Sequence, residues 1–104
     1  MIRTIDALNA RALVEQGAAL IDIREPAEFA SERIAGAELQ PLSQLSAGPA
    51  AVRSSGTVIF TCRSGQRTAM NAARLVAAAP GCTVFLLEGG LNGWLRAGLP
   101  VERG

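Results

Sequence analysis

Apolar residues at Ala7, Leu8, Ala10, Leu13 and Val14 recur at helical spacing behind Asp6, and the run stops at Gly17, so residues 6–16 read as a helix. The next apolar stretch, Ala19-Leu20-Ile21-Asp22-Ile23, is short and β-branched and ends at an Arg24-Glu25-Pro26 turn. That pattern predicts a buried strand. Pro26 suits the first turn of a short helix through Phe29 and Ser31. Ile34 to Leu39 predicts a short strand with a glycine turn, Pro41 opens a polar connection carrying Leu42 and Leu45, and Ser46-Ala47-Gly48-Pro49 reads as loop.

After Ser54-Ser55-Gly56 comes Thr57-Val58-Ile59-Phe60-Thr61, a continuous branched run of the kind a strand covered on both faces requires, leading directly into Cys62. From Arg67 to Ala79 the residues switch to strong helix formers, and Pro80-Gly81 closes that helix. Thr83 to Leu87 predicts another buried strand, Glu88-Gly89-Gly90 a loop, and Leu91 to Ala97 a last helix ending at Gly98. Strands alternating with helices imply an α/β fold, a parallel sheet with helices on both faces, in a single domain over residues 1–104.

Composition narrows the chemistry. The chain has 104 residues, 49% hydrophobic and only 4% aromatic, so its core is aliphatic. A net charge of +1 and few rings leave neither the electrostatic footprint nor the stacking surface that nucleic acid needs, and no such partner is expected. There is no His, and all ten basic residues are Arg. Without His there is no Ser-His-Asp triad, Cys-His dyad or imidazole metal ligand; without Lys there is no Schiff base and no P-loop lysine. Cys62 and Cys82 are too few and too far apart for a four-ligand zinc site or a C-x-x-C pair, so no metal and no cofactor are called for. No apolar run reaches the length of a membrane span. The first residues carry no secretory pattern, which points to reduced thiols and a cytoplasmic location.

Cysteine, arginine, carboxylates and backbone amides remain, and they converge at Cys62-Arg63-Ser64-Gly65-Gln66-Arg67-Thr68. Ligands of parallel α/β sheets bind beyond the carboxyl ends of strands. A strand, a cysteine, a glycine-bearing loop and a helix let successive N–H groups gather around the sulfur, with the helix end adding positive charge. A thiolate, or an anion attached to it, is stabilised there, and Arg63 and Arg67 reinforce the field. A lone cysteine ending a strand is often a small core residue, but such a residue needs neither two arginines nor a glycine within five positions.

At this point the chain resembles the rhodanese-like sulfurtransferases over nearly its whole length. Leu20-Ile21-Asp22-Ile23-Arg24-Glu25-Pro26-Ala27-Glu28-Phe29 is similar to the family's early motif, and Arg33-Ile34-Ala35-Gly36-Ala37 to its H-I-P-G-A segment, with Arg33 and Ala35 replacing His and Pro. Cys62 to Thr68 resembles the active loop; Glu88-Gly89-Gly90-Leu91-Asn92-Gly93-Trp94 and Gly98-Leu99-Pro100-Val101 resemble the C-terminal pattern. The likeness extends to cytoplasmic rhodanese domains that precede a membrane anchor, which would place the domain at the cytoplasmic face of a membrane.

The resemblance implies a five-stranded parallel sheet flanked by helices and a double displacement. Cys62 takes sulfur from a small donor such as thiosulfate, holds it as a persulfide, and passes it to a thiol or to cyanide. Two alternatives remain. One is a related Cys-loop phosphatase or arsenate reductase, whose loop has five residues between Cys and Arg where this chain has four. The other is a non-catalytic regulatory or sulfur-carrier module.

Asp22 and Arg24 are supporting candidates: Asp22 orients loop amides or caps its own turn, and Arg24 supplies substrate charge or is an ordinary exposed arginine. Glu28 reads as a surface residue or a partner of Arg33, Trp94 as an anchor of the last helix, and Cys82 as a packing residue rather than a resolving thiol.

Overall fold

The computed structural model of the chain describes residues 2–45 and 56–104. The predicted Ser46–Pro49 loop and the turn residues Ser54 and Ser55 lie outside them. Its elements are β1 (Arg3–Ile5), α1 (Ala7–Glu15), β2 (Ala19–Asp22), α2 (Pro26–Ser31), β3 (Glu32–Ile34), β4 (Glu38–Leu39), α3 (Leu42–Leu45), β5 (Thr57–Thr61), α4 (Gln66–Met70), α5 (Ala72–Ala78), β6 (Thr83–Leu87), α6 (Gly90–Arg96) and β7 (Val101–Arg103).

Five strands form one parallel sheet in the order β1-β6-β5-β2-β4. Side chains alternate across it and both faces are covered, which is why the inner strands β2, β5 and β6 are mostly apolar. Val58, Phe60, Ile21, Ile23, Val84 and Leu86 point to one face and pack with Leu45, Leu75, Ala78 and Ala79 from the α3–α5 side. Ile59, Leu20 and Leu87 point to the other and meet Ala7 and Ala10 of α1 and Leu91 and Trp94 of α6. Burying one such side chain as fully as Phe60 contributes about 1.5–3 kcal/mol. Trp94 anchors α6, its indole N–H donating to the Pro100 carbonyl at 2.9 Å.

The chain departs from the sequence reading in four places. Ile34 to Leu39 is not one strand. The chain turns at Ala35-Gly36, so that Ile34 ends β3 in a separate antiparallel pair with β7 while Glu38-Leu39 joins the main sheet. That β3–β7 pair is held by two directly opposed charge pairs, Glu32 with Arg103 and Arg33 with Glu102, at 2.7 and 3.3 Å. The helix expected over 67–79 is broken at Asn71, whose side-chain amide donates to the Arg67 carbonyl at 2.8 Å and whose backbone leaves helical torsions. Strands β1 and β7, each three residues long, fall below the length at which periodicity is readable, and Leu42–Leu45 coils into α3.

Candidate active site

Strand β5 delivers Cys62 to the carboxyl edge of the sheet, where the residue is 1% exposed and its β-carbon end belongs to the α3–α5 side of the core. Beyond it the chain curls rather than continuing straight. Gly65 takes φ +92° and caps α4, and its N–H donates to Cys62 Sγ at 3.1 Å. A β-carbon on Gly65 would add contact with Gly89 N at 3.3 Å to a torsion that side chains rarely adopt. Thr68, fully buried in the first turn of α4, places its hydroxyl 3.9 Å from Sγ and 3.0 Å from the Gly65 carbonyl. Arg63, Ser64 and Gln66 are exposed around this buried sulfur.

The loop is held from beneath by α6, a support that sequence reasoning missed. The N–H groups of Leu91 and Asn92 donate to the carbonyls of Cys62 and Arg63 at 2.8 and 2.9 Å. Across a trans peptide the carbonyl and the following N–H point in opposite directions, so both bonds turn the amides of Arg63 and Ser64 away from α6. The approach is so close that a β-carbon on Gly90 would overlap the Cys62 carbonyl oxygen and lie 2.8 Å from the Arg63 carbonyl. The signal available in the sequence was the Gly89-Gly90 pair at the end of a buried strand.

Arg67, partly exposed, meets Glu28. Both guanidinium nitrogens donate to the two carboxylate oxygens at 2.9 Å. This fork, reaching from α4 to α2, holds the Glu28 carboxyl down at about 2, chiefly through the hydrogen bonds from Arg67, and raises Arg67 further above its ordinary value for the same reason. The expected partnership of Glu28 with Arg33 is therefore corrected. Arg33 instead pairs with Glu102 and lies 5.5 Å from the centre of the Phe29 ring.

The expectation of an exposed Arg24 is also corrected: its side chain is completely buried. Arg24 follows β2 and folds back onto the strand's last residue, with Nε and Nη2 donating to the Asp22 carboxylate at 2.9–3.1 Å and Nη2 also reaching the Glu32 carbonyl at 2.6 Å. Asp22 additionally accepts the Arg24 backbone N–H at 2.9 Å, so it caps its own turn. Cys82 is half-buried against the α3–α5 side of the core, and neither cysteine is in a disulfide. Among the described residues no group of acids and cysteines is arranged to hold a metal ion, and no helix is long and apolar enough to cross a membrane.

The geometry has relatives. A family model described as "Rhodanese-like domain" matches residues 6–97. A protein of Allochromatium vinosum named "Sulfurtransferase" is 33% identical over 103 residues, covering 97% of this chain and 95% of the relative. An uncharacterized protein of Synechocystis is 37% identical over 84 residues, which is 81% of this chain but only 46% of that protein. Among solved structures, a thiosulfate sulfurtransferase from Pseudomonas aeruginosa superposes with a TM-score of 0.85 at 31% identity, covering 98% of this chain and 19% of that one. The chain thus spans less than half of two of these three proteins. With a matching family model over residues 6–97, a parallel sheet of the same architecture and a cysteine loop at its carboxyl edge, the chain belongs to the rhodanese-like domain family.

Proposed function

We propose that the protein is a sulfurtransferase that moves sulfane sulfur from thiosulfate, or a related sulfonate-bearing donor, to a thiophilic acceptor through a persulfide on Cys62. The observation that carries this reading is the buried Cys62 Sγ receiving the Gly65 N–H inside a loop with four residues between Cys62 and Arg67. In the first half-reaction the Cys62 thiolate attacks the outer sulfur of thiosulfate. The new S–S bond forms on Cys62, the old one breaks, and its electron pair leaves with sulfite. The persulfide anion carries its charge on the terminal sulfur, where amides of residues 63–68 stabilise it.

Arg63 provides the cation for the anionic donor: it is exposed and has no carboxylate partner among the described residues, whereas Arg67 is engaged by Glu28 and shapes the loop. The second half-reaction transfers the outer sulfur to a thiol or to cyanide and returns the thiolate, with no resident cofactor taking part. We place this chemistry in the cytoplasm, where thiols stay reduced, as both cysteines are here.

Intact mass after incubation with thiosulfate tests the reading. A gain of one sulfur atom, lost on adding cyanide and absent in Cys62→Ser, is expected. Hydrolysis of aryl phosphates through Cys62 with no sulfur gained would replace it with the phosphatase alternative.

A further inference from the structure

Charge is spread unevenly along this chain. From Leu39 to Leu87 there are four arginines and no Asp or Glu, a net +4, while the remaining residues carry six arginines against nine acids, a net −3. The basic segment supplies α3 and α5, which pack on one side of the sheet, and the Cys62 loop and α4 that lead into α5; three of its arginines, Arg63, Arg67 and Arg74, lie among the described residues. Arg67 is neutralised by Glu28. Arg63 and Arg74 are exposed, and neither meets a carboxylate among the described residues; Arg74 reaches only the Leu42 carbonyl and Asn71 Oδ1, at 3.2 and 3.4 Å.

The same helices present apolar surface to water. Met70 is 83% exposed and Val76 40%, and Ala69, Ala73 and Ala77 are exposed beside them. Ala69 and Met70 end α4, and Ala73, Arg74, Val76 and Ala77 share one side of α5, where a solvated helix would carry charged residues. An unbranched, polarizable Met on such a surface is adaptable to a partner. The chain reaches this surface directly from the Cys62 loop, with exposed Ala69 and Met70 following Thr68.

We infer that the α4–α5 face is the docking surface for a protein acceptor whose thiol sits on an apolar segment flanked by Asp and Glu. This deepens the sulfurtransferase reading above and rests on it. Cys62 is buried, so an acceptor thiol reaches its outer sulfur only along a defined approach over the loop, and the adjoining face supplies that alignment. The acceptor thiol loses its proton to solvent, and its thiolate attacks the outer sulfur of the Cys62 persulfide. A new S–S bond forms on the partner, the S–S bond at Cys62 breaks, and its electron pair remains on the Cys62 thiolate. Sulfur moves without change of oxidation level, so no external oxidant or reductant is needed. An anionic lipid surface is the less suited occupant, because the face has no lysine and no aromatic side chain to settle in a headgroup layer.

The test uses the full chain, persulfidated with thiosulfate, and two synthetic peptides that each carry one cysteine in the same apolar core, one flanked by Asp and Glu and the other by Arg and Lys; cyanide is the small acceptor. The acidic peptide is expected to take sulfur with a kcat/KM about tenfold higher at low ionic strength, an advantage that shrinks in high salt. Arg74→Glu and Met70→Glu should each remove most of that advantage and leave cyanide turnover unchanged, and Arg74→Lys should keep it. Equal rates for the two peptides with wild type would overturn the surface, as would parallel loss of cyanide turnover in both variants. A wild-type dimer in sedimentation that Met70→Glu dissociates would make a second copy the occupant, and phosphatidylserine-vesicle binding abolished by Met70→Glu would make it a lipid; either overturns the inference. Failure of wild type to gain sulfur from thiosulfate is a separate outcome that removes the sulfurtransferase reading and the surface with it.

Discussion

Two loops leave neighbouring strands at the same edge of the sheet and treat an arginine in opposite ways. β2 and β5 are paired with Asp22 opposite Thr61, and two residues beyond each lies an arginine, Arg24 on one strand and Arg63 on the other. On β2 the strand ends in an acid, so Arg24 folds back, is completely buried and binds Asp22 and the Glu32 carbonyl. On β5 the corresponding position is Thr61, which offers no charge; Arg63 stays exposed, and the chain curls around the next buried atom, the sulfur of Cys62. The β2 arginine is buried against its own acid, with only its Nη1 lacking a partner among the described residues, whereas the β5 arginine stays exposed. The residue at the strand end thus separates a buried, ion-paired arginine from an exposed one. The Glu28–Arg67 fork ties the one loop to the other.

The severest way to break this contrast is to remove the sulfur. Cys62→Ser should abolish thiosulfate:cyanide sulfur transfer in a steady-state assay while Cys82→Ser retains most of it; equal loss in both folded variants would point to a two-thiol mechanism. Arg24→Ala strands a buried carboxylate and should lower stability by about 3–5 kcal/mol in urea unfolding. Arg63→Ala should cost under about 0.5 kcal/mol, yet raise the donor's KM with little change in KM for the acceptor. A small stability loss in Arg24→Ala would mean that the two arginines are alike after all.

Gly90→Ala forces a β-carbon into the Cys62 carbonyl at a positive φ and should cost about 1–3 kcal/mol, slowing persulfide formation more than it lowers stability. Unchanged single-turnover kinetics in that variant would show that α6 does not shape the loop. The fork has partners that are 39% and 33% exposed, so solvent limits its contribution to about 1 kcal/mol. The Glu28 carboxyl titrates at about 2 in the folded chain against 4.5 ordinarily, so its contribution is fully present above 4.5 and is lost as pH falls toward 2. Wild type should therefore lose its stability advantage over Glu28→Gln across that window, measured as urea midpoints at successive pH values; a constant difference would assign the pair no electrostatic part.

Much of this architecture is local information. Asp6 caps α1 by accepting the Asn9 N–H at 2.8 Å, Pro26 opens α2, and the apolar runs at 19–23, 57–61 and 83–87 form buried parallel strands, because each signal acts within a few residues and burial on both faces admits no polar alternation. The cysteine loop was legible for the same reason: a strand end, a cysteine, a glycine and a helix start are consecutive in the chain. Sequence alone thereby determined the fold class, the place of Cys62 and the need for Gly65. Tertiary structure decided what depended on partners far along the chain. Arg67 meets a carboxylate 39 residues away, the loop carbonyls meet amides of α6, Arg33 chooses Glu102 over Glu28, and short β3 finds β7 across the domain. An ion pair or a backbone contact needs only proximity in space, which leaves no periodicity for the sequence to display.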